Sequence, residues 1–98
     1  MASNQDYLYF VLELLSELSG ITYKKMMGEY ILYKNGVIFG GIYDNRFLVK
    51  KTKSLNEYSF KEVVPYPNAK AMLLIDIEDS EKIKEIVESI IRDLKEND

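Results

Sequence analysis

The fold is decided by residues 30–51, which read YILYKNGVIFGGIYDNRFLVKK. Asn35-Gly36 and Asp44-Asn45 each separate two apolar segments. Such dipeptides are typical of two-residue hairpin turns, because both turn positions must reach positive φ. The sequence therefore predicts a three-stranded antiparallel meander. Its strands are Tyr30–Lys34, Val37–Tyr43 and Arg46–Lys51.

Two-residue turns also fix the register of the meander, so opposed residues can be assigned. The predicted register pairs Leu32 with Phe39 and Gly41 with Leu48, and opposed residues share a sheet face. One face then carries Tyr30, Leu32, Phe39, Tyr43 and Leu48, rimmed by Lys34, Arg46 and Lys50. The other face carries Ile31, Tyr33, Ile38, Ile42, Phe47 and Val49, and it is expected to be the core under the helices. Because both faces are apolar, we expect something to cover the first face as well.

Two amphipathic helices flank the meander, because apolar residues recur at spacings of three and four over residues 7–18 and 83–94. Between them, the capping box that starts at Ser54 predicts a short helix to about Glu62. Strands are expected at 63–66 and 71–77. The sequence thus predicts an α+β fold in the order α-β-β-β-α-β-β-α, with an antiparallel meander sheet and two long amphipathic helices packed on one face.

Capping residues mark the ends of the two long helices. Ser3, followed by Asp6 three residues later, is typical of a capping box at the start of the first helix. Gly20 is expected to end this helix, because glycine readily adopts the left-handed conformation found just after a helix. Asp79 or Ser80 is expected to cap the last helix.

The composition excludes several function classes. The chain has 98 residues, so residues 1–98 are expected to form one domain. It contains no Cys and no His, which removes thiol nucleophiles, thiolate metal sites and the commonest general base. No segment is long and apolar enough for a membrane span. We therefore expect a cytoplasmic domain that has no catalytic residues, metal or cofactor and does not contact a membrane.

The charge balance argues against a nucleic-acid-binding domain. Thirteen basic and sixteen acidic residues give a net charge of −3, whereas such domains usually carry a basic excess. A local basic patch is the alternative, provided that its members converge on one face. Its members would be Lys24, Lys25, Arg46, Lys50, Lys51 and Lys53.

Three further features each have a structural and a functional interpretation. Gly40-Gly41 indicates a β-bulge or a helix packed close to the sheet, and alternatively a small-ligand pocket. Met26 and Met27 indicate core packing, and alternatively an adaptable partner surface. The acidic residues between 76 and 81 suit a helix N-terminus better than a divalent-cation site.

A block in the middle of the chain is specific enough to compare with known families. It consists of Lys25-Met26-Met27-Gly28-Glu29-Tyr30, Leu32-Tyr33, Asn35-Gly36-Val37, Phe39, Asp44-Asn45-Arg46 and Leu48-Val49-Lys50. This block resembles the N-terminal domain of the TfoX/Sxy family, and the resemblance extends over nearly the whole chain. The chain departs from the family pattern at Met27, Glu29 and Ile31, where the family has Phe, Gly and Gly.

The resemblance implies a positive regulator of natural competence, a transcription regulator that works with the cyclic-AMP receptor protein at promoters. Full-length regulators of the family carry a second, C-terminal helical domain, and the length of 98 residues leads us to expect a single domain without it. We therefore expect a small, non-enzymatic regulatory or adaptor domain that acts by protein–protein interaction. A nucleic-acid-binding transcriptional regulator and a small-ligand-binding domain are the alternatives.

The expected contact patch is the aromatic sheet face. Its residues are Tyr30, Leu32, Phe39, Tyr43 and Leu48. The patch would serve a homodimer, a different protein, or both. On this hypothesis, Leu48→Asp abolishes association and leaves the fold intact, whereas unfolding would mean that the face is core.

Overall fold

The computed structural model describes residues 2–96, and within them the chain forms an α+β fold with one antiparallel sheet. The helices are α1 (Gln5–Leu14) and α2 (Ser80–Glu96), and a 3₁₀ helix spans Lys53–Glu57. The strands are β1 (Ile21–Met26), β2 (Glu29–Lys34), β3 (Val37–Ile42), β4 (Phe47–Lys50), β5 (Glu62–Val63) and β6 (Met72–Leu74). Their order in the sheet is β1-β2-β3-β4-β6-β5. The predicted class and the antiparallel sheet are confirmed.

The predicted element order lacks one strand, β1, which lies at the edge of the sheet and, within residues 2–96, pairs with β2 alone. The strand was not predicted because Lys24 and Lys25 interrupt the apolar residues of this segment. Its connection to β2 is a third two-residue turn, at Met27-Gly28, with φ of 53° and 82°. Those angles match the 50° and 83° of Asn35-Gly36. Methionine is uncommon at positive φ, so this turn carried no sequence signal.

The helix ends agree with the sequence only in part. Asn4, and not Ser3, caps α1, because its Oδ1 accepts a hydrogen bond from the Tyr7 N–H at 2.8 Å. Helix α1 ends at Leu14, before Gly20. The expected cap of α2 is confirmed, because Asp79 Oδ1 accepts from the N–H groups of the second and third helical residues.

The predicted register is correct next to the turns, but in the β2–β3 pair it is wrong from Leu32 back to Tyr30, which pairs with Ile42 and not with Gly41. Lys34 pairs with Val37, and Gly41 pairs with Leu48, as predicted. Between Tyr33 and Leu32 the register of the β2–β3 pair shifts by one residue, so that Leu32 opposes Gly40 and not Phe39. The extra residue is a β-bulge, which confirms the structural interpretation of the glycine pair.

This one-residue shift exchanges the faces of several side chains. The inner face, under the helices, carries Tyr30, Leu32, Phe39, Ile42, Phe47 and Val49. These residues share one core with Leu8 and Val11 of α1, with Leu15 just after it, and with Ile83, Ile86, Val87 and Ile90 of α2. The predicted faces are therefore wrong for Tyr30, Leu32 and Phe39, which lie in the core, and for Ile31, Tyr33 and Ile38, which lie on the opposite side.

Neither helix among residues 2–96 is long and apolar enough to cross a membrane.

Candidate interaction surface

The sheet face turned away from the helices, here called the outer face, is the main candidate site. Buried apolar residues of both helices share one core with residues of the opposite, inner face. The segment 64–71, between β5 and β6, folds toward the outer face, since the Tyr66 ring packs on Tyr43 with ring centroids 6.2 Å apart. Apolar residues here that retain solvent exposure are Met26, Ile31, Tyr33, Ile38, Tyr43 and Tyr66.

The predicted contact patch does not form as one surface. Tyr30, Leu32 and Phe39 are buried in the core under the helices, because the bulge turns them inward. Leu48 does face outward, but it is 0% exposed. Of the five predicted residues, only Tyr43 keeps partial exposure on the outer face.

The exposed apolar side chains of this surface are ones that the sequence placed elsewhere. Ile38, assigned to the core, is 40% exposed, and Met26 is 47% exposed. Met27, at the tip of the β1–β2 turn, is 97% exposed, so the core-packing interpretation of the methionine pair is wrong. Tyr66, at 58% exposure, belongs to an irregular segment whose position no hydrophobic period predicts. Exposed apolar residues that group on one face indicate an interaction site.

A groove of about 490 Å³ lies at one side of the outer face. The sheet contributes Ile38, Gly40, Lys50 and Met72, and Tyr43 follows the end of β3. The remaining lining residues are Lys51, Thr52, Pro65, Tyr66, Ala69, Lys70, Ala71 and Leu94. Burial is the main cause that raises the pKa of the Tyr43 hydroxyl, with smaller contributions from Tyr66 and Glu29, so this side chain is neutral at pH 7.

The six predicted nucleic-acid contacts do not converge on one face. Lys24 and Lys25 lie on β1 and point to opposite sides of the sheet. Two strands separate them from β4, which places them about 14 Å from it at the usual strand spacing. Lys50 and Lys51 instead lie at the groove, where Lys51 Nζ pairs with Glu62 Oε2 at 2.9 Å. Of the remaining two, Arg46 Nε donates to the Tyr43 carbonyl, and Lys53 begins the 3₁₀ helix.

A polar network at the start of α1 gives a structural role to three residues of the stretch that resembles the TfoX/Sxy family, namely Glu29, Asp44 and Asn45. Ser3 Oγ donates to Glu29 Oε1 at 2.6 Å, and the Asp44 N–H donates to Glu29 Oε2 at 3.0 Å. The Asn45 N–H donates to Ser3 Oγ, and Asn45 Oδ1 accepts from the Asn4 N–H. Glu29 and the β3–β4 turn thus fix the beginning of the helix, which is a structural role.

Asp93 is the buried charged residue of α2, at 1% exposure. Its Oδ1 accepts from Ser54 Oγ at 2.6 Å, and its Oδ2 accepts from the Ser54 N–H at 2.9 Å. Ser54 therefore does not form the predicted capping box. It ties the 3₁₀ helix to the last turns of α2. The hydrogen bond from the Ser54 hydroxyl is the main cause that lowers the pKa of the Asp93 carboxyl.

Removing this carboxylate is expected to cost about 1.5–3 kcal/mol of stability, the typical value of hydrogen bonds to a charged group. A lowered folded-state pKa means that the contribution is complete above the ordinary carboxyl pKa. It is lost as pH falls through the lowered value. Urea unfolding of native protein and Asp93→Ala at pH 7 and at decreasing acidic pH measures both effects. The difference between the two proteins should shrink in acid, and a constant difference would contradict this account.

The acidic residues near the start of α2 do not assemble a metal site. Asp79 serves as the helix cap, and the described part of the chain, residues 2–96, holds no cluster of three or more Asp or Glu residues placed to bind a metal ion.

Comparisons with known proteins identify a family and a relative of this chain. The family model described as TfoX N-terminal domain matches residues 13–72, which include β1 to β5 and the start of β6. The uncharacterized 12.7 kDa protein in the trpE 5′ region of Spirochaeta aurantia is 29% identical over 91 residues. That similarity covers 89% of this chain and 79% of the relative.

Proposed function

Because this chain belongs to the TfoX N-terminal domain family, we propose that it is a small, non-enzymatic regulatory domain that acts by protein–protein interaction in the cytoplasm. We propose further that it helps to regulate the transcription of genes for competence, the ability to take up DNA. Its partner docks on the outer face of the sheet.

One observation carries this proposal, namely the apolar character of the exposed outer face. Met26, Ile38 and Tyr66 each leave a large part of an apolar side chain in contact with water. Half-buried Ile31 and Tyr33 lie on β2, between the strands that carry Met26 and Ile38. Burial of apolar surface is the dominant favourable term in most protein associations, so a partner that covers these side chains gains stability.

The roles of the acidic side chains support a non-enzymatic function. Glu29, Asp79 and Asp93 are engaged in hydrogen bonds that position helices and turns. Their carboxylates are therefore committed to the fold, and the chain has no histidine or cysteine to act in their place.

Ile38→Glu is expected to weaken partner binding at least about tenfold, because it places a charge in the apolar contact, and tenfold corresponds to about 1.4 kcal/mol. Stability should change by less than about 1 kcal/mol, since the side chain is partly exposed. The measurement compares proteins captured from the native cells by tagged wild type and by the variant, with and without nuclease, by quantitative mass spectrometry.

Tyr9→Glu provides the matched control, because Tyr9 is a similarly exposed apolar residue on α1. A partner that is lost with Ile38→Glu, retained with Tyr9→Glu and resistant to nuclease supports the proposal. Equal capture by all three proteins contradicts it, and nuclease-sensitive capture favours nucleic-acid binding instead.

A further inference from the structure

We infer that the groove beside the outer face binds an acidic segment of the partner, with an apolar or aromatic side chain of that segment inserted against Tyr66 and Met72. This inference rests on the proposed function, because it names the chemistry of the partner at the same surface. It is based on a different observation from the proposed function, namely the charge and composition of the groove lining.

The groove is positively charged although the whole protein is negative. Among residues 2–96, the charged residues that line it are Lys50, Lys51 and Lys70, with no Asp or Glu. Lys51 is already paired with Glu62, whereas Lys50 and Lys70 have no ion pair within residues 2–96. A net charge of −3 with three lysines gathered in one groove is an uneven distribution. Such a distribution favours carboxylates on the partner and sets which partners associate.

The apolar part of the lining accounts for the second half of the inference. Ile38, Pro65, Met72 and Leu94 line the same groove as the lysines, together with the exposed Tyr66 ring. An apolar side chain that enters a groove of this kind acts as the anchor of an interface, while charges at its margin select the segment that carries it. Methionine adapts its shape to such an anchor.

The shape of the groove favours a chain segment over a small molecule. Small-molecule pockets enclose most of the ligand surface, whereas this groove is a half-open depression continuous with the apolar outer face. Its volume of about 490 Å³ accommodates a few side chains of an extended segment. Because the groove shares Ile38 and Tyr43 with the outer face, one partner can contact both.

The test is an NMR titration of isotope-labelled protein at low salt with the peptide Ac-Asp-Asp-Phe-Asp-Asp-NH₂. Two analogues separate the parts of the inference, one with Asn for every Asp and one with Ala for Phe. We expect saturable shifts of the backbone amide signals of Lys50, Tyr66 and Lys70, and binding about tenfold weaker for each analogue. Oligothymidylate of similar charge serves as the nucleic-acid probe.

Lys70→Glu is expected to weaken binding of the acidic peptide about tenfold or more, because it reverses an unpaired charge in the groove. Lys25→Glu is the matched control, since Lys25 is an exposed lysine on the far edge strand. It should leave peptide binding unchanged at equal ionic strength.

Three results would overturn the inference. They are the absence of groove shifts at millimolar peptide, equal weakening by both lysine variants, and tighter binding of oligothymidylate than of the peptide. None of them removes the proposed function, because a protein partner that depends on Ile38 but not on the groove lysines would still use the outer face. Conversely, failure of the Ile38→Glu comparison with intact peptide binding would remove the proposed partner and leave an acidic-ligand groove.

Discussion

Leu48→Asp is expected to unfold most of the protein at 25 °C. Leu48 is fully buried in the central part of the sheet, where it pairs with Gly41 on one side and Leu74 on the other. Truncation of a buried leucine alone costs about 2–5 kcal/mol, and an unpaired buried carboxylate adds several more. A domain of this size has about 5–15 kcal/mol of stability in total.

Circular dichroism with urea unfolding measures this loss, and the dispersion of the amide NMR spectrum reports whether a native core persists. Ile38→Asp is the control, because Ile38 lies on the same outer face but is partly exposed, and it should stay folded. A native-like Leu48→Asp spectrum would contradict the assignment of Leu48 to a covered position. It would restore the earlier hypothesis that this side chain is an open contact residue.

Gly40→Ala is expected to destabilise the protein by about 3 kcal/mol, at the upper end of the usual cost of overpacking. A Cβ at this position would collide with the carbonyl oxygen of Leu48 and lie 3.0 Å from Val49 Cα. Both contacts are with the backbone of β4, so no side chain can rotate away. Strands β3 and β4 would have to separate beside the bulge, where their hydrogen bonds hold the centre of the sheet.

Gly36→Ala separates this steric effect from the general effect of replacing glycine. No atom lies within 4 Å of a Cβ at Gly36, but its φ is 83°, so alanine there suffers only backbone strain. That strain is about 1–2 kcal/mol. Urea unfolding should therefore give a larger loss for Gly40→Ala than for Gly36→Ala, and the reverse order would contradict the close approach of the two strands.

Local features of the sequence were sufficient to predict much of the sheet. The Asn35-Gly36 and Asp44-Asn45 turns determine where three strands begin and end, because positive φ at two successive positions restricts the residues allowed there. The apolar stripe of α2 was equally clear. In contrast, β1 carries exposed lysines and ends in a turn that begins with Met27, so neither its pattern nor its turn indicated a strand.

The candidate site was less accessible to sequence reasoning for a specific physical reason. A single extra residue at Phe39 reverses which side chains face the helices, and no residue pattern gives the position of a bulge within a strand. The glycine pair at 40–41 indicated that a bulge was present, but not on which side of it the register changes. The groove depends further on segment 64–71, which has no hydrophobic period and takes its place through tertiary packing with Tyr43.

The most direct test of the outer face as a partner surface is site-specific photo-crosslinking in the native cells. Benzoylphenylalanine would replace Ile38 on the outer face in one protein and Tyr9 on α1 in another. Our account predicts a discrete protein adduct from position 38, identified by mass spectrometry, and no such adduct from position 9. The same adduct from both positions, or an adduct from position 9 alone, would contradict it.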